Sequence, residues 1–181
     1  MISQIDSERL SLFLIYKDDQ NFNNLKNNIM PLPNIFTKQV TDEVIQRINR
    51  LKPESKPLWG KMNSSQMLKH CAVPYEMLFE NIHPKPNAFM KFILKILIKN
   101  KVVNETPFPH NSKTSPQFII SDKRDFELEK KRLVDYLNKT QQLGENYFEN
   151  KESQSFGALN KTEWNNMFYK HLDHHLQQFG V

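Results

Sequence analysis

Three of the six histidines fall close together near the C-terminus, at His171, His174 and His175. On a helix, His171 and His175 are i and i+4, stacked on one face about 6 Å apart along the axis. That spacing lets two imidazoles converge on one divalent cation, with each nitrogen at ~2.0–2.1 Å. Trp164, Phe168 and Phe179 share the face, so the pattern turns both histidines towards the core, while His174 projects about 100° away, outward or over the edge. An H-x-x-x-H pair alone is explained as well by two buried imidazoles with hydrogen-bond partners. A third histidine strengthens the metal reading: His70 shares a stripe with Met67 and Tyr75 on another expected helix. Burying three imidazoles side by side leaves several polar nitrogens to satisfy, at ~1–3 kcal/mol for each failure, and a cation removes that cost.

Three neutral ligands leave a cation its full charge and an open position. Such a site lowers the pKa of a bound water towards ~7 or takes a thiol as thiolate, so hydrolysis and thiol transfer share it. Glu76, Glu80, Tyr75 and Asp173 are the candidates for proton transfer, each read first as a surface or supporting group. Cys71 lies about 100° around the helix from His70 and reads as a buried, inert thiol. Pro74 cannot donate to the His70 carbonyl, which predicts a kink that either aims His70 or merely bends the surface.

The elements that must position these groups are helical. Phe36, Val40, Val44, Ile48 and Leu51 recur at steps of three and four, and Lys52-Pro53 ends that stripe. Asn63-Ser64-Ser65-Gln66 is an N-cap with Gln three residues on, opening a helix that carries His70 to about Asn81. Residues 88–100 read as a short apolar helix, and 104–121, with Pro107, Pro109 and Pro116, as a long loop with extended backbone at 118–120. Residues 122–143 form a charged amphipathic helix with pairs such as Glu127 and Lys131, stopped by Gly144. Asn160 and Glu163 cap the last helix, which ends at Phe179-Gly180. The expectation is an all-α four-helix bundle with one extra short helix, spanning 30–181, after a loosely attached extension over 1–29 that docks through Leu10, Phe13 and Leu14.

Composition removes several alternatives. Four glycines include neither G-x-G-x-x-G nor a P-loop, so nucleotide-binding fingerprints are absent. Basic and acidic residues alternate and the net charge is only +5, which argues against nucleic-acid binding. The single Cys71 excludes an internal disulfide and predicts a reducing cytoplasm. No run is long enough to cross a bilayer, and Leu10 to Tyr16 makes a poor signal peptide. In 88–101, Lys91, Lys95 and Lys99 line one face of an otherwise apolar segment. A short core helix is the plain reading; an interfacial membrane helix, a pocket wall and a homodimer contact are the others.

Trp59-Gly60-Lys61-Met62, Gln66-Met67-Leu68-Lys69-His70, and Glu163-Trp164 with Tyr169-Lys170-His171-Leu172-Asp173-His174-His175-Leu176-Gln177-Gln178-Phe179-Gly180 resemble the DinB/YfiT-like superfamily over about 32–181. More narrowly they resemble a bacterial branch of unknown function. The resemblance implies an up-down-down-up bundle holding a divalent metal ion, zinc, nickel or similar, on His70, His171 and His175. It also implies a metal-dependent thiol S-transferase or hydrolase. Related proteins use low-molecular-weight thiols such as bacillithiol or mycothiol, so the expected partner is a small, partly apolar substrate or such a thiol. The extension and His174 depart from the common pattern. The competing expectations are a non-catalytic, metal-stabilised bundle and a membrane-surface or partner-binding module.

Overall fold

A computed structural model describes residues 31–80, 82–112 and 114–181; the expected extension over 1–29 lies outside them. Among the described residues six α-helices follow one another: α1 (Lys38–Arg50), α2 (Ser64–Phe79), α3 (Ala88–Leu97), α4 (Lys99–Val103), α5 (Phe126–Leu143) and α6 (Lys161–Gln178). The caps are chemical. Asn63 and Asn160 each accept from the backbone N–H three residues on, and Gln66 and Glu163 return the bond to the cap N–H. Asp125 caps α5 by accepting from Leu128, so the helix starts at Phe126 rather than at 122. Helix α2 runs unbroken through Pro74.

The fold is mostly helical but departs from the all-α expectation. A two-stranded antiparallel sheet, β1 (Lys151–Ser153) and β2 (Gly157–Leu159), pairs Lys151 with Leu159 and Ser153 with Gly157. Strands this short show no alternation of apolar and polar residues, which is why their sequence reads as a polar loop. The expected extended backbone at 118–120 is also partly replaced, by a 3₁₀ turn over Pro116–Phe118. The 88–100 helix breaks at Ile98 into α3 and α4. Lys131 pairs with Asp135 rather than Glu127.

Long-range contacts fix the helix directions. Asn34 bonds Glu145 and Phe36 stacks on Phe148, setting α1 antiparallel to α5. The Ile35 N–H donates to Asn165 while Arg47 pairs with Asp173, so α1 and α6 are parallel. Arg132 on α5 meets Glu76 and Glu80 on α2, and Gln66 reaches the Asp122 carbonyl, so those two helices are parallel as well. Tyr75 stacks on Phe168 at 4.5 Å, one turn from where His70 faces His171, making α2 and α6 antiparallel.

Between these helices lies one core of Ile35, Val44, Ile48, Leu68, Tyr75, Leu133, Leu137, Phe148, Trp164, Phe168 and Leu172. Each such side chain contributes about 1.5–3 kcal/mol by leaving water, enough to hold α2 and α6 at a set spacing. Glu76, fully buried on α2, is paired with Lys69 and Arg132 and hydrogen-bonded to His83, and Glu80 accepts from Tyr136 and Arg132. None of the described helices is long and apolar enough to cross a membrane.

Candidate metal centre

The structure brings His70, His171 and His175 together. Their ring centroids are 4.5–4.9 Å apart, and one ligand atom from each lies within 4.8 Å of the others. His70 and His175 are buried, and His171 is partly exposed. The inward face expected of α6 is present, since Trp164, Phe168 and Phe179 are buried with His175.

Hydrogen bonds decide which nitrogens are free. The Phe118 carbonyl, 2.8 Å from His70 Nδ1, can only accept, so Nδ1 carries the proton and Nε2 of the neutral ring carries the lone pair. Gln178 Nε2 donates to the Trp59 carbonyl at 2.7 Å, which turns Oε1 of the same amide towards His175. His175 Nδ1 must therefore donate to it, at 2.8 Å, and again Nε2 is left free. Second partners of this kind are what orient imidazoles towards a cation.

His70 Nε2 and His171 Nε2 stand 2.9 Å apart. Two nitrogens bound to one ion at ~2.0–2.1 Å are about 2.9 Å apart at a right angle and about 3.4 Å at the tetrahedral angle. Without a cation, one bridging proton on His171 is the alternative that avoids opposed lone pairs. Burial pushes all three imidazoles below their usual range; His175 falls to about 3, and neighbouring histidine charges lower each further. They are neutral at pH 7, the state a metal ligand requires. The donor set therefore fits a divalent ion.

The surroundings of the cluster are aromatic. Residues 104–121 pass beside it, with Phe118 edge-on to His70 and His171 at 5.4 and 5.9 Å. His110 stacks on Trp59 at 3.8 Å, and His174 meets the edges of Trp59 and Phe108. His174 is thus half-buried at the margin, outside the three. Lys170 holds the start of this segment by donating to the carbonyls of Lys101 and Asn104 and to the Asn104 side chain.

The residues weighed for proton transfer are held elsewhere. Glu76 and Glu80 belong to the Arg132 network, Asp173 pairs with Arg47, and Tyr75 lies between Tyr136 and Phe168. Cys71 is buried and its thiol is pushed up, as an inert thiol should be. Sequence reasoning missed Phe118, whose carbonyl leaves no trace in residue type, and also His110 and Gln178. Gln178 was findable: it is i+3 from His175, on the same helical face.

The fold and cluster define a helical protein with three converging histidines that could bind a metal ion. Over residues 35–180 the chain matches, and belongs to, the family described as "Protein of unknown function (DUF1569)". No curated protein and no solved structure matches it.

Proposed function

We propose that His70, His171 and His175 hold one divalent ion, zinc, nickel or similar, in an up-down-down-up four-helix bundle of the DinB/YfiT-like type. The chain is then a metal-dependent transferase or hydrolase acting on a small, partly apolar substrate, a low-molecular-weight thiol among the candidates. The parallel α1–α6 and α2–α5 pairs and the antiparallel α2–α6 pair support the bundle. The observation that carries the site is the 2.9 Å approach of two Nε2 atoms, with Nδ1 of His70 and of His175 each tied to an acceptor.

When bound, an ion with three neutral ligands supplies Lewis acidity towards a water or a thiol. The protein's own part is to hold the three rings neutral and oriented, through Phe118 and Gln178. Trp59, Phe108, His110 and Phe118 give the neighbouring wall an apolar, aromatic character suited to a partly apolar substrate.

Metal analysis of protein purified without a polyhistidine tag or added chelator tests the reading. About one ion per chain is expected, with tight binding lost in His70→Ala and His171→Ala. Protein that is metal-free and also refuses added zinc and nickel overturns it.

The close cover of Phe118 over His70 and His171 favours one second reading, a non-catalytic ion that ties α2 to α6. Competition by azide or a thiol on cobalt-loaded protein separates the two. A spectral change supports an open site, whereas an inert spectrum with a large loss of thermal stability on chelation supports the structural role.

A further inference from the structure

Helix α3 does not behave as a core helix. No residue in it is buried, although its sequence is Ala-Phe-Met-Lys-Phe-Ile-Leu-Lys-Ile-Leu. Phe89, Met90, Phe92, Ile96 and Leu97 each leave 46–71% of their surface in contact with solvent. At 100° per residue, Phe92, Ile96, Phe89, Ile93 and Leu97 follow one another over about 140° of arc. Only Leu94, on the other side of the helix, packs against the core. A contiguous apolar face of this kind on a surface helix calls for an occupant.

Charge says which occupant. Between Glu80 and Glu105 the chain carries five lysines, Lys85, Lys91, Lys95, Lys99 and Lys101, and no acidic residue. Lys91 and Lys99 reach Glu152 and Glu163, while Lys85, Lys95 and Lys101 make no ion pair among the described residues. Lys91 and Lys95 run along one margin of the apolar arc, where their stems can lie against it and the Lys95 ammonium can reach outward. Pairing α3 with the same helix of a second copy would set two such lysine rows together with no acid in the segment to offset them. An anionic lipid surface meets both features at once.

We propose that α3 is a membrane-surface element. It lays the Phe89, Phe92, Ile96 and Leu97 face into the interface of a bilayer containing anionic lipid, and the lysines of 85–101 are drawn to the headgroups. At ten residues it lies on the bilayer rather than crossing it. The inference is independent of whether the histidine cluster carries a metal.

Flotation of the full chain with vesicles tests this. Binding is expected to mixed phosphatidylcholine/phosphatidylglycerol vesicles at low salt and not to phosphatidylcholine alone. Phe92→Glu with Ile96→Glu, both exposed and checked for an unchanged circular-dichroism spectrum, should abolish it. Lys85→Gln, Lys95→Gln and Lys101→Gln together should weaken it about a hundredfold. The proposal is overturned if wild-type protein ignores the anionic vesicles, or if the Phe92/Ile96 variant binds them equally. It is overturned too by a dimer that this variant dissolves in the absence of any vesicle binding, which assigns the face to a second copy.

Discussion

Adding one methyl group at Gly60 is expected to perturb the candidate metal centre without touching a histidine. Gly60 has φ +82°, and a Cβ built there would lie 2.5 Å from Gln178 Nε2. An L-residue pays about 1–2 kcal/mol for that left-handed backbone. The Gln178 amide must then swing away, giving up its bond to the Trp59 carbonyl and its acceptance of His175 Nδ1–H. A buried donor left unmade costs a further ~1–3 kcal/mol. Gly60→Ala should therefore lose about 2–5 kcal/mol, a fall in Tm of roughly 4–20 °C for a chain of this size. With His175 no longer held, affinity for zinc should drop about 10–100-fold, as for other partners of ligating imidazoles. Gly144→Ala is the control, because φ is +70° there but nothing lies within 4 Å of the added Cβ. It should lose stability from the backbone alone and bind zinc unchanged. Thermal melts, together with zinc titrations against a chromophoric chelator, read both quantities. Wild-type zinc affinity in Gly60→Ala, or an equal loss in both variants, refutes the reasoning.

Three further outcomes follow from the surrounding network. Burial works against ionisation of Glu76, but hydrogen bonds from Lys69 and His83 and the charges of Lys69 and Arg132 outweigh it and hold the carboxyl below its ordinary value of 4.5. The stability it contributes is then complete above that value and lost as pH falls through the lower folded value, so Glu76→Gln should flatten the acid limb of a urea-midpoint profile. At neutral pH the same variant should cost about 3–5 kcal/mol, since Lys69 and Arg132 lose their shared counter-charge. Lys170→Met removes the donor that holds Lys101 and Asn104, and amide exchange should quicken over 104–118 with a stability loss of about 1–3 kcal/mol. His174→Gln should leave the proposed metal at its wild-type stoichiometry, because its ring lies outside the three; a loss measured by metal analysis would place it among the ligands.

Much of the fold is legible because it is local. The Asn63/Gln66 and Asn160/Glu163 caps, the α1 stripe through Val44 and Ile48, and the glycine stop at Gly144 are each set by residues within a turn of one another. The i,i+4 relation of His171 and His175 belongs to the same short range, as does the inward face they share with Trp164 and Phe168. Periodicity also placed His70 on a buried face, without saying what it faces.

Other features depend on residues far apart in the chain. His70 and His171 are separated by 101 positions, and only the packing of α2 against α6, with Tyr75 stacked on Phe168, brings their rings together. The Phe118 carbonyl that fixes the His70 tautomer belongs to a proline-rich segment with no period to read. Helix α3 shows the opposite limit: its apolar sequence predicts burial, yet no neighbour in the described fold covers it. Composition and spacing show which residues favour helix, which are apolar and which are candidate ligands, since those preferences act over a few bonds. Which of them meet, and which face stays open to solvent, was decided by the three-dimensional packing, where one helix's position depends on all the others.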